Sequence, residues 1–411
     1  MINIAVLGYG TVGSGVVEVL DTNRECISQR VGEEIRVKYV LDLRDFPGDP
    51  VQNILVHNFE EIIRDEDVKI VVEVMGGIEP AYTFVKRSLL AGKSVATSNK
   101  ALVAKHGAEL LSIAKEKQIN FLFEASVGGG IPIIRPLNSS MTADEIEEIT
   151  GILNGTTNYM LTKMFYEGAG YEEVLRQAQE NGYAEKNPEA DVEGYDACRK
   201  IAILSSLISG HQVDFEDIYT EGITEITERD MEYAKQMQMT IKLLASSRRS
   251  GECLSAIVAP CLLENTHPLF GVNGVFNAIF VHGNVLGDAM FYGSGAGKLP
   301  TASAVVADVV EEGKNLNRNV MTMWKSDKLK LQDKGDTIRR FFVRITGNAE
   351  AMKTYIESIF GPVQIVMLPD VEEEFGFLTG RMTERAYEEC AAKFPNIIRM
   401  IRMQEQSGSR E

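Results

Sequence analysis

Short apolar runs alternate with segments of helical period along the first third of the chain. The first run, Ile2–Leu7, is rich in branched residues and leads through glycines into a helical pattern that includes Val16 and Leu20. Further runs of strand length follow at Ile35–Leu41 and at residues 69–75, 93–97 and 121–124. Strands that alternate with helices in this way predict a Rossmann-type, doubly wound parallel sheet in an α/β protein.

Three glycines fill the turn between the first strand and the first helix, in the sequence Gly8-Tyr-Gly10-Thr11-Val12-Gly13. Gly8 permits a tight turn, Gly10 lets the backbone approach a pyrophosphate, and Gly13 allows helix and strand to pack closely. The diphosphate would then lie at the helix N-terminus. The turn predicts a dinucleotide site, and the alternative is a βαβ unit with an incidental glycine-rich turn.

The second strand ends at two charged residues with opposite preferences for a cofactor. Asp42 could accept hydrogen bonds from both ribose hydroxyls of NAD, whereas Arg44 could meet the 2'-phosphate of NADP. The choice between NAD and NADP therefore stays open.

Polar and glycine-rich segments follow later strands, at the sheet edge where doubly wound folds bind ligands. The strand at 93–97 delivers Ser98, Asn99 and Lys100 to that edge. The strand at 121–124 leads into consecutive glycines at 128–130, whose neighbouring carbonyl groups can turn towards a ligand or a cation. A domain crossover that needs positive φ angles is the alternative.

The segment 182–200 combines carboxylates with a lysine beside a glycine turn at Gly182. Asp196 and Lys200 are one helical turn apart and share a helix face, and Glu185 can fold back towards them from the loop that Pro188 rigidifies. A carboxylate can hold a substrate ammonium, and a buried lysine can give or take a proton at a carbonyl or hydroxyl oxygen. The segment predicts a site for a small zwitterion, and a solvated salt bridge on a helix surface is the alternative.

After residue 136 the pattern changes to a mixed α and β region. A strand at 147–153 leads into small polar residues at 154–158, where Thr156 or Thr157 is either a plain helix N-cap or part of a substrate site. A second glycine-rich loop at 293–303 opens an apolar helix that we expect to pack back on the first domain.

The last part of the chain reads as a small separate domain. Residues 325–335 are polar and predict a linker. Residues 339–403 follow the order strand, helix, strand, strand, helix, strand, which is typical of a ferredoxin-like domain.

The composition indicates a globular enzyme. The length of 411 residues suggests two or three domains. The net charge of −17 argues against a nucleic-acid or anionic-membrane partner. Apolar runs stay shorter than the roughly 18 residues of a membrane span, and the five cysteines lack CxxC spacing. Reduced thiols and a cytoplasmic location are therefore expected.

With these motifs in place, the chain resembles the homoserine dehydrogenases over nearly its whole length. The matching segments are 8–13, 73–77, 98–102, 124–132, 151–158, 182–200 and 295–297. The resemblance implies a Rossmann domain at 1–132 completed by a helix near 300–320, a substrate and dimerisation domain at 133–325, and a ferredoxin-like domain of the ACT type at 339–405. It also implies NAD(P)-dependent interconversion of L-aspartate 4-semialdehyde and L-homoserine, in threonine, isoleucine and methionine biosynthesis.

Residue roles follow from the same resemblance. Lys200 would donate a proton to the aldehyde oxygen, Asp196 would orient the substrate and Glu185 would bind its amino group. Lys100 would act between cofactor and substrate as a further catalytic residue. The other expected substrate contacts are Asn154, Gly155, Thr156 and Gly182. The expected cofactor contacts are Gly8, Gly10, Thr11, Val12, Gly13, Asp42, Arg44, Met75, Gly76, Ser98, Lys100 and Gly297. A sodium ion would be held by the backbone carbonyls of Glu124, Val127, Gly129 and Ile131.

The ACT-like domain departs from its family pattern. The usual Asp-x-Pro-Gly turn before its first helix is replaced by the run from Gly347 to Ala351. An amino-acid effector would lose the backbone amides of that turn, and sheet pairing between subunits is the alternative role. We expect a homodimer or a homotetramer. The competing function is a non-catalytic, nucleotide-binding amino-acid sensor, and the retained Glu185, Asp196 and Lys200 argue against it.

Overall fold

The computed structural model describes residues 1–251, 253–321 and 324–405. The chain divides into two compact units. The first consists of residues 1–145, 202–215 and 291–329, and the second of residues 146–201, 216–290 and the chain from residue 330 onward.

Strands occur in both units. In chain order they are β1 (Ile2–Leu7), β2 (Ile35–Leu41), β3 (Leu55–Val56), β4 (Val68–Glu73), β5 (Ser94–Thr97), β6 (Phe121–Leu122), β7 (Ile146–Ile152), β8 (His211–Gln212), β9 (Tyr219–Thr220), β10 (Met239–Ser250), β11 (Cys253–Glu264), β12 (Phe276–Gly283), β13 (Gly287–Ser294), β14 (Lys325–Lys328), β15 (Ile338–Arg339), β16 (Phe341–Thr346), β17 (Gln364–Val366), β18 (Glu374–Leu378), β19 (Met382–Thr383) and β20 (Ile397–Gln404).

Helices also occur in both units. They are α1 (Thr11–Thr22), α2 (Arg24–Val31), α3 (Phe59–Ile63), α4 (Ala81–Leu90), α5 (Lys100–Glu116), α6 (Gly155–Glu167), α7 (Tyr171–Glu180), α8 (Glu189–Val192), α9 (Tyr195–Ser209), α10 (Glu228–Gln236), α11 (Lys298–Lys314), α12 (Ala349–Phe360) and α13 (Glu384–Ala391).

The first unit contains a six-stranded parallel sheet in the order β3-β2-β1-β4-β5-β6. This is the strand order of a Rossmann fold, so the predicted doubly wound sheet is confirmed. Leu7 at the end of β1 pairs with Leu41 on β2 and with Glu73 on β4. The segments that follow these strands therefore emerge together at one edge of the sheet.

Helix α11 packs closely against α1 in this unit. A Cβ atom on Gly15 would lie 3.0 Å from the Cβ of Ala302 and from the carbonyl oxygen of Lys298. Ala302 and Val305 are fully buried in the same core as Ile4 of β1. Small residues at the crossing thus let a helix from late in the chain cover the sheet formed by its first part.

The second unit contains most of a ten-stranded mixed sheet. Its order is β13-β12-β7-β10-β11-β20-β16-β18-β17, and β9 pairs with β11. Strands β10 and β11 form a long antiparallel pair, in which Met239 lies opposite Glu264. Strand β20 joins β11 in parallel, with Leu262 beside Met403.

Residues 341–404 have the order strand, helix, strand, strand, helix, strand. Strand β16 lies between β18 and β20, and β17 pairs with β18. All three pairings are antiparallel. Phe341, Phe360, Phe377 and Tyr387 belong to a core shared by the strands, α12 and α13. Because β20 also pairs with β11, this C-terminal sheet is continuous with the sheet of β7, β10 and β11.

Residues 325–335 were predicted as a linker, and the chain does pass from the first unit to the second between Leu329 and Lys330. The segment is nonetheless structured, because it includes β14, which pairs with β8, and Gln332, whose amide donates to the carbonyl of Leu254. The strand predicted over 121–124 ends at Leu122. The chain turns there because the Glu124 carboxylate accepts hydrogen bonds from the backbone amides of residues 133–135.

Within residues 1–251, 253–321 and 324–405, no helix combines the length and the apolar character that a membrane span requires.

Candidate active site

The glycine turn after β1 has the geometry that the sequence predicts. Gly8 has a φ of +97°, and a Cβ on Gly13 would lie 1.9 Å from the carbonyl oxygen of Gly8. Any side chain at position 13 would therefore separate α1 from the turn. Helix α1 begins at Thr11, and its N-cap residue Gly10 has no side chain to accept from the first-turn amides. These amides and the helix dipole suit a diphosphate.

Asp42 and Arg44 form an ion pair at the end of β2. The Arg44 guanidinium donates to both carboxylate oxygens of Asp42 over 3.0 Å, and the Tyr9 amide donates to the same carboxylate over 2.8 Å. These hydrogen bonds, chiefly those from the Arg44 side chain, hold the pKa of Asp42 well below its usual value. The two residues that the sequence offered as alternatives for the ribose thus act as one coupled group.

A buried glutamate that we did not predict ties the ends of β4 and β5 together. The Glu73 side chain accepts from the amide of Met75 over 2.8 Å and from the Thr97 hydroxyl over 2.6 Å. Thr97 in turn accepts from the amide of Asn99, whose side chain donates to the carbonyl of Gly77. Burial raises the pKa of Glu73.

These hydrogen bonds join two predicted cofactor segments. Met75 and Gly76 follow β4, and Ser98 and Lys100 follow β5. Asn99 caps α5, because its side-chain oxygen accepts from the amide of Leu102 over 3.1 Å. Lys100 is the first residue of this helix and is half-buried. A Glu at the end of an apolar strand was the available signal for Glu73.

The two glycine-rich loops of the first unit contact each other. The amide of Gly130 donates to the carbonyl of Ser294 over 3.0 Å. Gly129 has a φ of +58°, and a Cβ there would lie 2.2 Å from the carbonyl oxygen of Gly295. Gly297 has a φ of +127° at the start of α11. Among residues 128–130, Gly129 thus has the positive φ angle that the alternative of a domain crossover requires.

In the second unit, Lys200 and Asp196 form a buried pair. Lys200 Nζ lies 2.7 Å from Asp196 Oδ2 and 2.7 Å from the carbonyl oxygen of Leu153, to which it donates. The side chains of Lys200 and Asp196 are only 10% and 6% exposed. The alternative of a solvated surface salt bridge is therefore wrong.

Asn154 connects this pair to α6. Its Oδ1 accepts from the amide of Thr157, which caps the helix, so the N-cap is Asn154 rather than either threonine. Its Nδ2 donates to Asp196 Oδ2 over 3.0 Å and to Asp191 Oδ1 over 2.8 Å. The Thr156 hydroxyl donates to the carbonyl of Tyr183, next to Gly182, which has a φ of +73°. The turn at Gly182 and the start of α6 are thereby held together.

Asp191 joins the cluster although sequence reasoning did not select it. Burial raises the pKa of this carboxyl, and the neighbouring Asp196 adds to the effect. Glu185, which sequence reasoning did select, has an exposed side chain, and its carbonyl accepts from Gln179. Asp191 lies in the same segment as Asp196, so its spacing was visible, but only the fold shows which acids are buried.

Lys242 on β10 is a second buried lysine that the sequence did not reveal. It is 1% exposed. Its Nζ donates to the carbonyl of Val272 over 2.6 Å, to Asn273 Oδ1 over 3.0 Å and to Asn158 Oδ1 over 3.1 Å. These acceptors are neutral, and burial lowers the pKa of Lys242 to about 7. Lys242 thus joins β10 to the first turns of α6 and to the loop before β12.

Models of one enzyme family match both units. The NAD-binding domain of homoserine dehydrogenase matches residues 8–124, and the homoserine dehydrogenase model matches residues 132–310. The chain belongs to the homoserine dehydrogenase family. Its assignment as an NAD(P)-dependent oxidoreductase is confirmed.

Individual relatives agree with this assignment. The homoserine dehydrogenase of Bacillus subtilis (strain 168) is 43% identical over 323 residues, which cover 78% of this chain and 74% of the relative. A homoserine dehydrogenase structure from Thiobacillus denitrificans has a TM-score of 0.89 and 34% identity, over 98% of each chain. A hyperthermophilic archaeal homoserine dehydrogenase in complex with NADPH has a TM-score of 0.66 and 29% identity, over 77% of this chain and 99% of that chain.

The lowered pKa of Lys242 predicts a pH-dependent stability of this homoserine dehydrogenase. Between about 7 and the ordinary value of 10.5, the unfolded chain carries a proton on Lys242 that the folded chain has lost. Stability relative to a Lys242→Met variant should therefore rise with pH in this window, by at most about 1.4 kcal/mol per pH unit. Below this window both states are protonated, and the difference should become constant.

The measurement is the unfolding temperature of both proteins from about pH 6 to 9. Lys235→Met, which removes an exposed lysine of the same unit, should give a difference that does not change with pH. A pH-independent difference for Lys242→Met as well would contradict the prediction.

Proposed function

We propose that this homoserine dehydrogenase reduces L-aspartate 4-semialdehyde to L-homoserine, reversibly, with Lys200 as the proton donor. The observation that carries this proposal is the buried Lys200, fixed by Asp196 and by the carbonyl of Leu153 over 2.7 Å each. Reduction of an aldehyde needs a hydride, which C4 of the bound nicotinamide supplies, and a proton on the nascent alkoxide. No covalent intermediate with the enzyme is required.

Lys200 can stabilise the negative charge of the alkoxide and can also supply its proton. An ammonium aimed at the aldehyde oxygen stabilises the developing negative charge before the proton moves. Its position is set in advance because Asp196 and Leu153 hold Nζ from two sides, so little reorganisation is needed during the reaction. Asp196 orients the lysine and the substrate, and Lys100 is proposed as a further catalytic residue by resemblance.

The acids of the second unit suit the substrate ammonium. Asp191 and Asp196 approach the same Asn154 side chain, and one lysine faces these two carboxylates. When all are ionised, the cluster carries an excess negative charge that would attract a cation. We assign the amino group to Glu185 by resemblance, and the remaining substrate contacts to Asn154, Gly155, Thr156 and Gly182.

The first unit is proposed to hold the cofactor through the glycine turn and the segments after β4 and β5. The residues are Gly8, Gly10, Thr11, Val12, Gly13, Asp42, Arg44, Met75, Gly76, Ser98, Lys100 and Gly297. The first-turn amides of α1, to which no N-cap side chain bonds, support the diphosphate position. The paired Asp42 and Arg44 support use of either NAD or NADP.

A sodium ion is proposed at the carbonyl oxygens of Glu124, Val127, Gly129 and Ile131. An all-oxygen set suits a hard cation. The loop is tightly folded, since a Cβ on Gly128 would lie 2.5 Å from the carbonyl oxygen of Ile131. The Glu124 carboxylate accepts from backbone amides of residues 133–135, and this fixes the loop and leaves the carbonyls to bind the ion.

The C-terminal part is proposed to be an ACT-like domain that acts mainly in assembly of a homodimer or homotetramer. Its ferredoxin-like strand order supports the ACT assignment. The altered turn at Gly347 argues for weak or no inhibition by threonine, with an amino-acid effector as the alternative. The enzyme would act in the cytoplasm, on the route to threonine, isoleucine and methionine.

Removing the proposed proton donor should slow the chemical step without affecting the cofactor. Lys200→Ala is expected to lower kcat by on the order of 10² or more, because a positioned acid contributes about this much. Steady-state kinetics and a titration of NADPH binding by fluorescence check this. A variant that turns over like the wild type would rule out Lys200 as the donor.

The ion pair at the ribose predicts how cofactor preference can be changed. Asp42→Ala removes a carboxylate that repels a 2'-phosphate and releases Arg44 to meet it. The ratio of kcat/KM for NADPH to that for NADH should rise by roughly tenfold. Arg44→Ala is the matched variant and should lower the ratio, because the phosphate loses its cation. Unchanged ratios in both variants would show that this pair does not discriminate between NADPH and NADH.

A further inference from the structure

The C-terminal part reaches the middle of the second unit through a buried arginine. Arg402 lies on β20, beside Cys261 of β11, and is 1% exposed. Its Nε and Nη2 donate to the two carboxylate oxygens of Glu384 on α13, over 3.0 and 2.6 Å. Its Nη1 donates to Glu221 Oε2 over 2.6 Å. Arg402 therefore joins the C-terminal helix α13 to the segment that follows β9.

The segment after β9 is fixed on its other side by the sheet. The amide of Glu221 donates to the carbonyl of Val258 on β11 over 2.8 Å. The guanidinium carbon of Arg402 lies 5.2 Å from the centroid of the Tyr219 ring. Glu221 thus has its backbone bound to β11 and its carboxylate bound to β20.

The same segment contacts the turn between Asp191 and Asp196. The amide of Ile223 donates to the carbonyl of Val192 over 2.8 Å. A Cβ on Gly222 would lie 2.2 Å from the carbonyl oxygen of Val192 and 2.6 Å from the Cα of Glu193. A Cβ on Gly194 would lie 3.1 Å from Thr220 Cγ2.

These are close backbone contacts, so a shift of residues 220–223 must displace the turn at 192–194. Helix α9 begins directly after this turn, at Tyr195. The helix carries Asp196 and Lys200, and Asp191 precedes the turn.

We propose that Arg402 and Glu221 are positioning residues for the dehydrogenase reaction. Through them the C-terminal part sets the position of the turn at 192–194, and with it the polar groups of Asp191, Asp196 and Lys200. The inference rests on the proposed roles of Asp196 and Lys200. It makes the C-terminal part a component of the catalytic unit, in addition to any role in assembly.

A second buried arginine provides a matched control. Arg344 of β16 donates to Asp230 over 2.6 Å and to both oxygens of Glu374 over 3.0 Å. Like Arg402, it binds two acids and connects the C-terminal part to the rest of the second unit. It also donates to the Thr227 hydroxyl over 3.2 Å. Of its two acids, Glu374 lies on β18, inside the C-terminal part itself.

The test compares Glu221→Gln with Glu374→Gln in the full-length enzyme. Each substitution keeps the side-chain volume and weakens one ion pair of a buried arginine. Glu221→Gln should lower kcat/KM for homoserine by roughly fivefold or more, with an unchanged KM for the nicotinamide cofactor. Glu374→Gln should leave kcat/KM for homoserine within about twofold of the wild type, even where both variants lose similar unfolding temperature.

Arg402→Lys is the second variant and keeps the charge while it loses the bidentate geometry. We expect it to lower kcat/KM for homoserine as Glu221→Gln does. Equal losses of kcat/KM in Glu221→Gln and Glu374→Gln, or no loss in Glu221→Gln and Arg402→Lys, would overturn the inference.

The outcome for Lys200→Ala separates this inference from the proposed chemistry. If Lys200→Ala is inactive and Glu221→Gln is fully active, only the positioning role fails. If Lys200→Ala is fully active, the roles on which the inference rests fail.

Discussion

One amide side chain, that of Asn154, fixes the geometry on which the second unit depends. Its oxygen caps α6, and its nitrogen donates to Asp191 and to Asp196. The preceding residue, Leu153, offers its carbonyl to Lys200. The end of β7, the start of α6 and the start of α9 therefore meet at two consecutive residues.

In the first unit, a carboxylate fixes the loops that follow the strands. Parallel pairing brings the ends of β1, β2 and β4 to one sheet edge, but register alone does not fix the loops that follow. Glu73 does so, because it accepts from Met75 and from Thr97. Both units thus use a buried polar side chain at a strand end to fix the backbone of the neighbouring loops.

The sequence pattern predicted the features that depend on residues close together in the chain. The strands of the Rossmann sheet, the glycine turn and the shared face of Asp196 and Lys200 depend on neighbours a few residues apart. Lys242, Arg402 and Asp191 were missed because burial and partners define them. Lys242 binds Asn158 and Val272, and Arg402 binds Glu221, at separations that no periodicity encodes. Strand β14, inside the polar segment at 325–335, was missed for the same reason, since its partner β8 is far away in sequence.

Proton transfer by the Lys200 amine is tested most directly by chemical rescue. In Lys200→Ala, small primary amines such as ethylamine should fill the vacated space and restore turnover saturably. The restored rate should depend on the pKa of the amine, as expected for general acid catalysis. A folded variant that binds cofactor and substrate but responds to no amine would contradict this role of Lys200.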